Sequence, residues 1–258
     1  MIDIYNKDVF ETMSFIPDNS VKLVLTDMPY GTTKNEWDIM PDLKQLWHEF
    51  ERIIDIDGVI VCTAIQPFTS MVVMNNLKMF KYSWIWEKAN PSGFLNCKRR
   101  PLKDVEDILV FYDQQPTYNP QGLVRIDKKR KNDKSKTGEN GTGISSHDGG
   151  KMKGEYIQEF TNYPRQVLKF KTEKGHHPTQ KPVDLMAYLI KTYTDENELV
   201  FDGFMGSGTT GVACVKTDRN FIGCEINKKY FNTSSERISK ALGEKRKEKE
   251  NTPQTLFD

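Results

Sequence analysis

The 258-residue chain has four cysteines, Cys62, Cys97, Cys214 and Cys224, spaced too widely to pair as zinc ligands or to build a disulfide framework. Cys62, Cys214 and Cys224 sit in apolar runs and are expected in or near the core. No apolar run approaches the length that crosses a bilayer. The amino terminus also lacks a basic stretch followed by an apolar one, so neither a membrane partner nor a secretory signal is expected and the setting reads as cytoplasmic. There is no internal repeat and no Gly-Lys-Ser/Thr phosphate loop. His176 and His177 have no other His or Cys at supporting spacing, so no metal site is expected. The net charge of +1 points to no partner by itself. Its distribution is uneven: Lys98, Arg99 and Arg100 form one basic cluster, and Lys128, Lys129, Arg130, Lys131, Lys134 and Lys136 form another.

What is present is an alternation of strand and helix patterns. Strands are expected at Ile2 to Tyr5, Val21 to Thr26, Val59 to Thr63, Tyr82 to Glu87, Asp107 to Tyr112, Leu199 to Phe204 and Phe221 to Ile226. Helices are expected at Val9 to Phe15, Asp42 to Ile54, Met71 to Met79, Val183 to Thr192, Thr209 to Lys216 and Lys229 to Leu242. This order implies an α/β fold with a largely parallel sheet covered on both faces. The pattern breaks down between Asp113 and Lys174. Asp127 to Gly154 has almost no large apolar residue and reads as a mobile loop or an insertion ordered by a partner. The tail from Glu244 to Asp258 is charged and is expected to fray.

Two turns carry chemistry. In Asp202-Gly203-Phe204-Met205-Gly206-Ser207-Gly208-Thr209 a strand passes through glycines into a helix, which lets a ligand approach the backbone. Glu225, at the end of the next strand, stands where an acidic side chain accepts hydrogen bonds from ribose hydroxyls. A dinucleotide site and a turn without ligand remain open on these residues alone. The second turn, Asp27-Met28-Pro29-Tyr30, follows an apolar strand at the edge where open parallel sheets bind ligands. Asp27 and a carbonyl beside Pro29 can accept the two N–H bonds of an aromatic amine, freeing its lone pair, while Tyr30 offers a stacking face. A proline turn with a buried tyrosine is the competing structural explanation.

Together, Asp27-Met28-Pro29-Tyr30, Phe204-Met205-Gly206-Ser207-Gly208 and His177-Pro178-Thr179-Gln180-Lys181-Pro182 resemble the three signatures of the amino-methylating DNA methyltransferases, D-P-P-Y, F-x-G-x-G and H-P-T-Q-K-P. Catalytic motif first and cofactor motif last is similar to the beta class. The resemblance implies a circularly permuted, Rossmann-like S-adenosylmethionine-dependent methyltransferase fold with an inserted target-recognition segment. Residues 1–113 would form the catalytic half, 114–174 the insertion, 175–243 the cofactor half and 244–258 a tail. It implies direct transfer of a methyl group from S-adenosylmethionine to the 6-amino group of adenine in double-stranded DNA after base flipping. A cytosine-N4 enzyme, an RNA or protein methyltransferase and a catalytically silent DNA-binding subunit are the alternatives, and a homodimer is left open. Asp27, Pro29 and Tyr30 are the expected catalytic residues. Asp8, His177, Thr179, Lys181, Asp202, Phe204, Gly206, Ser207, Gly208, Thr209 and Glu225 are expected at the cofactor. Asp8 reads equally well as a helix amino-terminal carboxylate. Lys98, Arg99, Arg100, Lys128, Lys129, Arg130 and Lys131 are expected on DNA. Two departures from the family pattern, Met28 and Gly203 in place of prolines, alter backbone stiffness but no reacting group.

Overall fold

A computed structural model describes residues 1–31, 38–131, 155–173 and 180–251. Residues 1–119 and 165–258 form one compact unit and 120–164 another. Within the first unit the amino-terminal strand β1 (Ile2–Tyr5) leads through α1 (Val9–Met13) to β2 (Val21–Thr26). Then follow α2 (Leu43–Ile53), β3 (Ile54–Ala64), α3 (Phe68–Asn75), β4 (Phe80–Ser92) and β5 (Lys103–Phe111). The second unit holds β6 (Val124–Lys131) and β7 (Glu155–Thr161). The chain returns to the first unit with β8 (Val167–Phe170), α4 (Val183–Tyr193), β9 (Leu199–Asp202), α5 (Thr209–Lys216), β10 (Asn220–Cys224) and α6 (Lys228–Asn251).

Eight strands form one sheet in the order β1-β10-β9-β2-β3-β5-β4-β8. From β1 to β3 every pairing is parallel. β5 runs antiparallel to β3 and β4, because the link from β4 to β5 is too short to cross back over the sheet. Alternate residues feed opposite faces. Leu23, Leu25, Val59, Val61, Ile108 and Val110 pack against α4, α5 and α6, whereas Val24, Ile60, Cys62, Leu109 and Phe111 pack against α1, α2 and α3. The result is the expected three-layer α/β architecture. α2 illustrates the local cause: Leu43, Leu46, Trp47, Phe50 and Ile53 recur at helical spacing and are buried, and Asp42 caps the helix by accepting from the amides of Lys44 and Gln45.

Position in the sheet decides the site. β9 lies beside β2, with Leu23 opposite Val200 and Val24 opposite Phe201, so the carboxyl-terminal half is completed by strands from the amino terminus. β1 closes its far edge beside β10. Asp27, the turn after Asp202, and Glu225 therefore leave three neighbouring parallel strands at the same edge.

The structure revises three expectations from the sequence. The separate unit is 120–164, narrower than 114–174, since β8 pairs with β4 in the main sheet. Residues 127–131 lie in a strand, because β6 and β7 pair antiparallel even though few of their side chains are buried. The tail is helical to Asn251, held where the Lys245 Nζ meets Asp218 Oδ2 at 2.7 Å and the Val215 carbonyl. Among the described residues no helix is long and apolar enough to cross a membrane.

Candidate active site

A cavity of about 660 Å³ opens along this sheet edge. One end is built around Asp27, one residue beyond β2. Its Oδ1 accepts from the Tyr30 hydroxyl at 2.7 Å and from the Thr63 hydroxyl of β3. Its Oδ2 accepts from Lys181 Nζ at 2.6 Å. Lys181 also stands 3.3 Å from Glu106 Oε2, and Glu106 Oε1 is 2.5 Å from Lys88 Nζ. The row Lys88, Glu106, Lys181, Asp27 thus alternates in sign, with members drawn from β4, β5, the segment before α4 and the end of β2.

Burial acts strongly on this row. Lys181 is 7% exposed, and burial pulls its pKa down. The charges of Asp27 and Glu106 outweigh that effect and hold it above the usual lysine range, so it stays a cation. The Tyr30 phenol is pushed far up by burial and by the Asp27 and Glu106 carboxylates, so it remains a donor to Asp27. Its ring leans on Phe68 with centroids 5.0 Å apart and planes at 33°. Pro29 and the buried Met28 complete the wall. No cysteine lines the cavity. Burial pushes the Cys62 and Cys214 thiols well above their ordinary range and Cys224 up to about 12, which removes any thiolate nucleophile from the interior.

The other end is made largely of backbone. Gly206 has φ of +51° and nothing near the place a Cβ would occupy, so a ligand can lie against it. Glu225 accepts from the amides of Gly206 at 3.0 Å and Asn227 at 2.7 Å. Burial lifts its carboxyl above the ordinary range, and those two N–H bonds partly offset this. Phe204, Ile226, Val9 and Phe10 supply apolar wall, and Ser207 and Thr209 also line the cavity. Arg237 of α6 donates to the Ser207 carbonyl at 2.6 Å, fixing the turn from behind.

Several expected cofactor residues have other work. Gly208 does not line the cavity: a Cβ there would stand 2.7 Å from Ser234 Cβ and 3.0 Å from its Cα, so this glycine lets α5 start against α6. Asp202 reaches the cavity wall, yet its oxygens are engaged by Thr26 at 2.8 Å, Thr210 at 2.6 Å and the Phe204 amide at 3.1 Å. Burial raises it to about 6 against those three bonds. Asp8 caps α1 through the Phe10 amide at 2.8 Å while standing at the cavity rim. Lys181 belongs to the Asp27 end. Gly203 explains its departure from proline: a Cβ would lie 2.6 Å from Val9 Cγ2. His177 and Thr179 fall outside the described residues. Lys98, Arg99 and Arg100 are exposed beyond β4; in the second unit Lys128, Lys129 and Arg130 are exposed, and Lys131 ends β6. Sequence reading missed Thr63, Lys88, Glu106 and Arg237; a glutamate inside the β5 pattern was the available signal for Glu106.

A permuted Rossmann-like sheet with a glycine turn and two carboxylates, Asp27 and Glu225, at one cavity is the fold of the S-adenosylmethionine-dependent DNA methyltransferases. The family model described as DNA methylase, for N6 and N4 methyltransferases, matches residues 21–236, and the chain belongs to that family. It is similar to the type II methyltransferase M1.MboII of Moraxella bovis, 28% identical, covering 90% of this chain and 94% of that protein. It is also similar to the DNA adenine methyltransferase YhdJ of Escherichia coli K12, 26% identical over 92% of this chain and 83% of that one. Among solved structures, the complex of M1.HpyAVI with S-adenosylmethionine superposes with a TM-score of 0.65 at 26% identity, covering 92% of this chain and all of that one.

Proposed function

We propose that the chain methylates the 6-amino group of adenine in double-stranded DNA, acting on a base swung out of the helix. The observation that carries this reading is the state of Asp27. Its carboxylate is fixed by three donors, but among the described residues Oδ2 accepts from Lys181 alone and so has acceptor capacity left, and Asp27 lines a cavity large enough for a base. An adenine amine is a poor nucleophile because its lone pair is delocalised into the ring. Asp27 and a carbonyl beside Pro29 accept its two N–H bonds and localise that pair on nitrogen. Bound at the Gly206 end, S-adenosylmethionine supplies the electrophilic methyl. Phe204 and Glu225 would hold its adenosine part, and the open face of Gly206 admits it.

Lys181 orients Asp27, and Tyr30 and Thr63 fix its rotamer. The proton released by the amine passes through Asp27 toward water. Aspartate at position 27 supports adenine over cytosine, since the resemblance associates serine there with cytosine targets. The adenine methyltransferase relative agrees. The unit 120–164, with its basic strand β6, is read as the target-recognition segment. Mapping modified bases in DNA from cells expressing the protein tests all of this. Methylated adenine at a defined sequence is expected, N4-methylcytosine would replace the base assignment, and unmodified DNA would refute the reading.

A further inference from the structure

The hairpin tip between β4 and β5 exposes side chains that the fold leaves unused. Ser92 and Lys103 pair at its base, and both line the cavity. Gly93, with φ of +88°, turns the chain into a 3-10 turn at Phe94–Asn96. The amides of Arg99 and Arg100 bond back to the Asn96 carbonyl at 2.8 and 3.1 Å, so the tip is a closed turn. Phe94 is 76% exposed and its neighbour Leu95 99% exposed. Directly behind them Lys98, Arg99 and Arg100 are exposed, and none makes an ion pair or side-chain hydrogen bond with a described residue.

An apolar point backed by three free cations complements a polyanion that offers an apolar slot, which describes a base stack between two phosphate backbones. The tip also rises from the rim of the cavity that must receive an extruded base. We propose that Phe94 and Leu95 are a wedge that enters the duplex and fills the space left by the target base, while Lys98, Arg99 and Arg100 hold the flanking phosphates. This inference rests on the DNA reading above.

The test uses a duplex carrying the site found by base mapping, and the same duplex with an abasic residue opposite the target, where extrusion is easier. Single-turnover methylation is compared for the full chain, the Phe94→Ala/Leu95→Ala variant and a Phe94→Leu/Leu95→Met variant that keeps the point apolar. The double alanine variant should lose about tenfold or more on the intact duplex and less than about threefold on the abasic-opposed one, with the apolar variant near wild type. S-adenosylmethionine binding by calorimetry should not change. Equal losses on both duplexes, or no loss on the intact one, would overturn the wedge and leave the DNA reading standing. If base mapping finds no modified base, the DNA reading falls first and takes the wedge with it.

Discussion

The two ends of the cavity are built by opposite means. Around Asp27 the wall is a row of four charged side chains from four segments, each holding the next. Around Gly206 it is a backbone turn, open where a Cβ of residue 206 would stand and clamped from behind by Arg237. The difference teaches where each function is vulnerable. At the charged end a mutation removes an interaction that, under the proposed function, the reacting amine needs. At the backbone end a mutation changes shape, and of the left-handed glycines Gly206 and Gly208 only Gly206 lines the cavity.

The largest effect should come from breaking the charged end. Asp27→Ala removes the acceptor and should lower turnover on the order of 10²–10³-fold, the scale of losing a preorganised transition-state partner. Calorimetry should show S-adenosylmethionine binding little changed, since the Gly206 end is intact. Near-normal turnover in a folded Asp27→Ala protein would end the proposed role of this carboxylate.

Next come the two glycines, whose substitutions should separate by readout. Gly206→Lys puts a side chain into open cavity space and should abolish cofactor binding with little change in melting temperature. Gly208→Val drives a branched side chain into Ser234 and holds it at φ of +78°, so it should destabilise by about 1–3 kcal/mol, seen as a lower melting temperature. If Gly208→Val melted normally but failed to bind cofactor, the packing role given to Gly208 would be wrong.

Tyr30→Phe sharpens the picture of the charged end. The ring and its contact with Phe68 survive, but Asp27 loses the hydroxyl that donates to it. Turnover should fall by about 2–13-fold, the value of one hydrogen bond of roughly 0.5–1.5 kcal/mol. Tyr30→Ala should be worse, because base stacking is lost as well. An unchanged rate in Tyr30→Phe would mean that the hydroxyl does not orient Asp27 during transfer.

The smallest effect concerns stability. Asp202 titrates near 6 because of burial, above its unfolded value of 3.8, so the native state holds its proton longer than the unfolded chain does. Its contribution is fully present below the unfolded value and is lost as pH rises toward 6. Asp202→Asn should therefore flatten the decline in melting temperature between about pH 4 and 6. A decline unchanged from wild type would assign that slope to other groups.

The sequence by itself determined the elements that depend on local pattern. Helical spacing in α2 and α4, the apolar run of β2 and the glycine turn into α5 were all legible, because each signal lies within a few residues of its cause. The strand-end turns that carry Asp27, Tyr30 and Gly206 were legible for the same reason, and the structure brings all three to one cavity. The weakly patterned β6 and the outer turns of α6 were not, since one depends on β7 for pairing and the other on Asp218 and Val215 for an anchor. Only the tertiary structure decided which partner each site residue has. It set Gly208 against Ser234, paired Lys181 with Asp27 and tied Asp202 to Thr26 and Thr210. It also brought Glu106, paired with Lys88, against Lys181, 75 positions further along the chain. A side chain's direction and its distant neighbours follow from which strands lie side by side, and here β2 beside β9 joins segments that are 176 residues apart at the Thr26–Asp202 hydrogen bond.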